Sequence, residues 1–373
     1  MSKDILFISS NRFDSFPSRK TRFSKFLSHS GFRVVYVESP HTYLAYLKKS
    51  KFANPGSLEK LNDNFYVLRS FPILPFFKKY RPLNAVDQKI FYKHINTALE
   101  KISFKPAAVF NYMPFFPDIL SNFKSLIIYD CVDDHANFPG LINPDYVNEL
   151  EKKTVALSDA VIVTGSKALK EKIVKFGKIP YVIPNGVDYK LFSSWLENAI
   201  SLKIKKQIVY VGALSEWFDL ELLEFLAQNL KEYEFLLIGF GPLSLNKLLK
   251  ENSNIKFLGK LSQKAFAPIL WESAASIIPF KVNDLTKKVD PLKAYEYLAS
   301  GVPVVSTPIG NIENPYIYVG STKEDFMEKL KIAIEEDSLE KRIKRTEFAK
   351  QFSWENRFNQ LSEILGKLLN NHG

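Results

Sequence analysis

The chain has 373 residues, 46% hydrophobic and 24% charged, with a formal net charge of +11. That length allows one or two domains with a substantial core, and a single cysteine, Cys131, excludes an intramolecular disulfide and fits a reducing compartment. No apolar run reaches the length of a membrane span, and the first residues lack a signal-peptide core, so a cytoplasmic protein is expected.

The positive charge asks for an anionic partner: nucleic acid, anionic lipid or an anionic small ligand. No helix-turn-helix, zinc-finger or RNP-type pattern is present, so nucleic acid is not expected. An anionic membrane surface is the expected macroscopic partner, with peripheral attachment to the inner face of the cell membrane. A lysine-rich surface without a function is the competing reading.

Residues 4–9 read as a buried strand, 19–29 as a helix closed by Gly31, and 32–37 as a second strand, together a βαβ unit. The loop and helix start carry Arg12, Asp14, Arg19, Lys20 and Arg22. Loops beyond the strand ends of such sheets are where ligands bind. A glycine fingerprint is missing, so this is not a dinucleotide site. Arg19 and Arg22 are candidate acceptor contacts; a solvated helix start is the alternative.

In residues 41–85, Tyr43, Leu44, Tyr46, Leu47, Phe52, Phe71, Ile73, Leu74, Phe76, Phe77 and Tyr80 alternate with Lys48, Lys49, Lys51, Lys78, Lys79 and Arg81. Aromatic side chains among lysines suit a membrane interface. Prolines at 72, 75 and 82 argue against long helices, and an irregular excursion packed on the first domain is the alternative.

A helix over 86–103, a strand over 107–111, a helix over 118–123 and a strand over 126–129 follow, ending in Asp130-Cys131-Val132-Asp133-Asp134-His135. Three carboxylates and a histidine beyond a buried strand stand where a catalytic group belongs in an open α/β sheet. Such crowding raises the pKa of a carboxylate toward that of a useful base. Asp133 is the first candidate and Asp134 the second, with helix capping as the alternative for both. Residues 145–157 read as a helix, 160–164 as a strand, 166–176 as a helix and 181–183 as a strand. Pro184-Asn185-Gly186 reads as a turn in which Asn-Gly permits positive φ, with a hinge over 186–204.

A second α/β unit begins with a strand over 208–211 ending at Gly212-Ala213, where glycine permits close backbone approach to phosphate. Its helix starts near Asp219. Further strands span 235–238, ending at Gly239, and 255–258, ending at Gly259-Lys260-Leu261; another spans 275–279. From 289 to 307 the pattern is one helix and one buried strand. Asp290 is the expected cap, Pro291 the first helical residue and Gly301 the exit. Lys293 stands in the first turn, where the helix dipole disfavours a cation. A cation beside the free N–H groups of a helix start makes an anion site. Glu296 lies one turn on, about 5–6 Å away at Cβ. A cation for phosphate and a carboxylate for sugar hydroxyls suit a nucleotide-sugar; an exposed Lys–Glu pair is the alternative. Helices over 322–335, 340–351 and from 353 onward finish the chain, the last with Trp354, Phe358, Leu361, Ile364 and Leu365 on one side.

Asn283-Asp284-Leu285-Thr286, Pro291-Leu292-Lys293, Glu296-Tyr297-Leu298 and Gly301-Val302-Pro303-Val304-Val305 resemble the C-terminal signature of GT-B glycosyltransferases, close to the large family 4 group and to a subgroup making bacterial surface polysaccharides. Tyr129-Asp130-Cys131-Val132-Asp133-Asp134 resembles the same subgroup. The resemblance implies an α/β fold of two Rossmann-like parallel-sheet domains facing a central cleft. It implies an acceptor-binding domain over 1–190, a nucleotide-sugar-binding domain over 205–350 and a C-terminal helix, 351–373, crossing back to the first domain. It assigns donor binding to Gly212, Ala213, the backbone of Gly259, Lys260 and Leu261, and Pro291, Leu292, Lys293 and Glu296. Catalysis falls to Asp133 or Asp134, with His135 as a catalytic or donor-sugar contact. Many family members have a second glutamate eight residues before Glu296; this chain has Lys288, which leaves retention or inversion open. No metal or cofactor is expected beyond the donor, a UDP-sugar in first place with GDP- and dTDP-sugars open. The implied acceptor is a saccharide or an isoprenoid-diphosphate-linked saccharide in cell-surface or exopolysaccharide synthesis. A sugar-nucleotide epimerase and a non-catalytic nucleotide-binding module are the alternatives.

Overall fold

The computed structural model describes residues 3–14, 17–48, 55–138, 140–241 and 245–372. The chain divides into two compact units: unit 1 comprises residues 1–164, 169–183 and 358–373, and unit 2 comprises 165–168 and 184–357.

Unit 1 is built on an eight-stranded sheet. Its strands run in the order Tyr181–Val182, Ala160–Val163, Leu126–Cys131, Ala108–Asn111, Asp4–Ile8, Arg33–Val37, Phe65–Leu68, Leu58–Asn62. All neighbours are parallel except the last pair. The central strands are apolar runs buried along their length, as a sheet covered on both faces requires. Helix Arg19–His29 starts at a capping box: the Ser18 hydroxyl accepts from the Thr21 N–H, and the Thr21 hydroxyl accepts from the Ser18 N–H. From Phe358 onward, helix Trp354–His372 belongs to this unit, and Phe358 stacks on Phe26 with ring centroids 4.9 Å apart.

Several boundaries differ from the sequence reading. The stretch 41–85 is not an irregular excursion: it contributes the hairpin Leu58–Asn62 and Phe65–Leu68 to the sheet edge, and Phe71, Ile73 and Phe77 enter the core. Phe52, Lys49 and Lys51 lie outside the described residues. The following helix begins at Arg81 rather than 86, because Pro82 sits in the first turn, where a missing N–H breaks no helical bond. The strand expected over 126–129 continues to Cys131, so Asp130 is in the sheet and not beyond it.

Unit 2 holds a six-stranded, wholly parallel sheet in the order Ile255–Gly259, Glu234–Ile238, Lys205–Val211, Ser273–Ile278, Val304–Ser306, Ile317–Val319. This is the doubly wound order in which ligands bind beyond the carboxyl ends of the strands. Two short helices escaped the sequence reading, Leu245–Glu251 and Gln263–Glu272, the second with Pro268 inside it. The segment read as a hinge carries helix Tyr189–Phe192 and the 3-10 turns Ser194–Ser201, and its Trp195 is 3% exposed. Neither Asn185 nor Gly186 has positive φ.

Arg19 does not serve as a solvent-facing acceptor contact. Its side chain is 3% exposed; Nε donates to Asp130 Oδ2 at 2.8 Å and Nη1 to the Ile183 carbonyl at 2.8 Å. This pair pins the first helix to the sheet. Removing one partner of a buried pair strands the other charge, which costs about 3–5 kcal/mol. Arg19→Met is therefore expected to lower the urea midpoint by an amount equivalent to about 3–5 kcal/mol. A loss near zero would show that the pair does not hold the helix.

Candidate functional site

In unit 2 the candidate donor residues gather at the carboxyl end of the sheet. Strand Lys205–Val211 ends at Gly212, with φ +145°; the neighbouring strand Glu234–Ile238 ends at Gly239, also with φ +145°. The backbones interlock: the Gly212 N–H donates to Ile238 O, and the Gly239 N–H donates to Gly259 O, both at 2.8 Å. A Cβ on Gly239 would meet Gly212 O at 1.9 Å, and one on Gly212 would meet Lys293 Nζ at 2.6 Å. Both contact and φ therefore require glycine.

Lys293 stands in the first turn of helix Leu292–Ala299. Its ammonium lies over the rings of Tyr210 and Phe280, 4.1 and 4.3 Å from the centroids, and donates to the Tyr210 hydroxyl at 2.9 Å. The Tyr210 hydroxyl in turn donates to Ala213 O at 2.8 Å. Burial pulls the Lys293 pKa down to about 7, against the opposing pull of the Glu296 charge. Glu296 is 5% exposed and its Oε1 accepts from Gln263 Nε2 at 2.6 Å. Pro291 is buried and Leu292 half-buried. Lys260 is exposed, with its ammonium 5.3 Å from the Phe240 ring centroid, and Leu261 is half-buried.

Asp290 is not the cap of this helix. The N-cap position is Pro291, without a side-chain bond. The Asp290 carboxylate instead accepts from the Gly165 and Asn185 N–H groups, the Tyr295 hydroxyl and Asn311 Nδ2, and its carbonyl accepts from Asn185 Nδ2. Upstream, Asn283 Oδ1 accepts from the N–H groups of Leu285 and Thr286 and closes the turn that leads into the helix.

In unit 1 the three carboxylates after the sequence Ile-Ile-Tyr separate by environment. Asp130 is paired with Arg19, as described. Asp134 is 2% exposed; it pairs with Lys172, which also holds Glu151, and accepts from Asn137 Nδ2. Glu151 also accepts from the Tyr129 hydroxyl at 2.8 Å and from Cys131 Sγ at 3.3 Å. Both oxygens of Asp134, the second candidate base, are thus engaged in this buried network. Asp133 is half-buried and lies close enough to Lys20 to act on its pKa. Lys20 is 5% exposed, its ammonium 5.6 Å from the Tyr112 ring centroid, and burial lowers its pKa. His135 sits between Phe115 and Phe138; burial, then the charges of Lys78, Lys20 and Lys172, push its pKa to about 3 and keep it neutral. Arg22 is half-buried.

Tyr210, Gln263, Gly239 and Lys20 were not among the sequence-derived candidates. Gly239 was visible as a glycine ending a strand; the other three acquire their roles only from neighbours distant in sequence.

Residues 205–336 match the family of glycosyl transferases group 1. The chain is 24% identical over 260 residues to TuaH of Bacillus subtilis (strain 168), described as a teichuronic acid biosynthesis glycosyltransferase; the match spans 61% of this chain and 64% of that relative. Among solved structures it resembles the sucrose-phosphate synthase of Thermosynechococcus elongatus, at a TM-score of 0.76 and 14% identity over 99% of both chains. It also resembles Anabaena HepE in complex with UDP and glucose, at a TM-score of 0.66 and 14% identity over 98% of this chain and 99% of that one. The chain thus has the GT-B glycosyltransferase fold, and its residues 205–336 form a domain of the group 1 glycosyltransferases.

Proposed function

We propose that this chain transfers a sugar from a nucleotide-diphosphate donor, a UDP-sugar in the first instance, to a saccharide or lipid-linked saccharide acceptor in cell-surface polysaccharide synthesis. The observation that carries this reading is the Lys293 ammonium, held against two aromatic rings beside Gly212 at the start of a helix. A half-buried cation at such a place suits a diphosphate. Glu296 would take the ribose hydroxyls, and the loop Gly259-Lys260-Leu261 the base. The structures of HepE with UDP and with UDP-glucose support a uridine donor. The TuaH likeness supports a surface-polysaccharide acceptor. On the acceptor side, the half-buried Asp133, in the loop just after strand Leu126–Cys131, would deprotonate the attacking hydroxyl if transfer inverts configuration.

A basic, aromatic surface on unit 1 suits an anionic membrane. Strands His41–Thr42 and Pro72–Ile73 pair and bring two segments together. Tyr43, Leu44 and Leu47 are 56%, 48% and 70% exposed, and Phe76 and Tyr80 are exposed near Lys79 and Arg81. Among the described residues no helix is long and apolar enough to cross a membrane, so contact of this kind would be interfacial.

Lys293→Ala should weaken UDP binding by about 1.5–3 kcal/mol, the scale of a hydrogen bond to a charged group, as read by calorimetry. Diphosphate binding raises the Lys293 pKa above its free value of about 7. Affinity is then full below that value, falls as pH rises through it, and levels off above the bound-state pKa. The Lys293→Ala variant should lose this slope, and a wild-type affinity in the variant would refute the assignment. Asp133→Asn should retain UDP affinity and lose about 10²–10⁴-fold in turnover with a UDP-sugar and acceptor; near-normal rates would place the base elsewhere. Release of an epimerised UDP-sugar without acceptor product would replace transfer by epimerisation. Leu47→Asp should reduce co-sedimentation with phosphatidylglycerol vesicles, and equal sedimentation of both proteins would remove the membrane surface from the reading.

A further inference from the structure

Unit 1 places a second cation, Lys78, and the imidazole of His135 against one aromatic ring, Phe115. Lys78 is half-buried, its ammonium 4.0 Å from the centroid of the Phe115 ring and 5.6 Å from that of Phe77. Among the described residues no carboxylate pairs with it, and burial alone brings its pKa down to about 8. The other face of the arrangement is His135, whose ring meets the same Phe115 edge-on at 5.2 Å. His135 is 8% exposed, and its Nε2 has no hydrogen-bond partner among the described residues. Lys20 lies near enough to act on the same imidazole.

The backbone is strained two residues before Lys78. Phe76 has φ +64°, a left-handed conformation in a residue with a bulky side chain. The turn is fixed because the Lys79 and Tyr80 N–H groups both donate to Phe76 O, and because the Asn143 N–H donates to Lys78 O at 3.1 Å. Strain of this kind persists where surrounding contacts impose it, and it concentrates at ligand sites. A half-buried ammonium beside no carboxylate and a buried imidazole nitrogen without a partner among the described residues both carry a cost. One oxyanion placed between them relieves both. Two nearby carboxylates are engaged elsewhere, Asp134 by Lys172 and Asn137 and Asp130 by Arg19.

We propose that Lys78 and His135 form an anion site that takes a phosphate or diphosphate group carried by the acceptor. This rests on the reading of unit 1 as the acceptor side. Lysine acts on phosphate as a point charge, and the neutral imidazole supplies a directional N–H donor. The acceptor is accordingly a phosphorylated sugar or a saccharide on a lipid diphosphate, and not a neutral glycan.

The full chain, first saturated with UDP to occupy the donor site, is titrated with inorganic pyrophosphate and, separately, with glucuronic acid as a carboxylate-only probe. Lys78→Met should weaken pyrophosphate binding about tenfold or more, Lys78→Arg should restore most of it, and His135→Gln should weaken it less. UDP affinity should stay unchanged in both Lys78 variants. Pyrophosphate affinity equal to wild type in Lys78→Met would overturn the site. Binding of glucuronic acid without pyrophosphate would overturn its assignment to phosphate. The UDP titration reads the donor proposal separately: if UDP fails to bind, that proposal falls, and the pyrophosphate series is run in the Lys293→Ala background.

Discussion

The group 1 domain depends on one carboxylate. Asp290 is 6% exposed and accepts from the N–H groups of Gly165 and Asn185, the hydroxyl of Tyr295 and the side-chain amide of Asn311. These partners come from four separate stretches of chain. A buried carboxylate with four donors is fully compensated, and taking any donor away would leave charge exposed to an apolar interior. Because Asp290 is fixed, the chain enters helix Leu292–Ala299 in one direction, and that direction determines where Lys293 stands. The lysine then reaches Tyr210, whose hydroxyl reaches Ala213 O. The helix start and the loop after strand Lys205–Val211 are thereby held in one geometry, the kind of preorganisation that the proposed diphosphate site would need.

Unit 1 uses a different device for the same end. The end of strand Leu126–Cys131 and the loop after it bring three carboxylates within a few residues, an unfavourable accumulation of like charge. The fold disperses it. Arg19 neutralises Asp130 inside the sheet, and Lys172 bridges Asp134 and Glu151 beneath the loop. The half-buried Asp133 is left between these two anchored neighbours.

The parts of this arrangement that were legible in the sequence are local ones. Helix Arg19–His29 and the strand–helix alternation follow from apolar runs and capping residues within a few positions of one another. Lys293 and Glu296 declare themselves by spacing on one helix. What the sequence concealed was decided by distant partners. Asp290 looked like a cap because Pro291 follows it, but Asn185 and Asn311 claim its oxygens. The pairing of Asp134 with Lys172, which approaches from another helix, has no local signal. The hairpin Leu58–Asn62 and Phe65–Leu68 was not read from the sequence; pairing with Arg33–Val37, distant in the chain, makes Phe65–Leu68 an interior strand.

The path of the chain through the two units has a consequence for biosynthesis. The segment from Phe358 onward lies with unit 1, where Phe358 stacks on Phe26, while nearly everything between residues 184 and 357 belongs to unit 2. On the ribosome, the eight-stranded sheet is synthesised early but must wait for its last covering helix until the whole of the other unit has emerged. Domains fold as units during synthesis, N-terminal first. Here the later-made body can finish first, while the earlier one keeps the apolar ground around Phe26 open to chaperones.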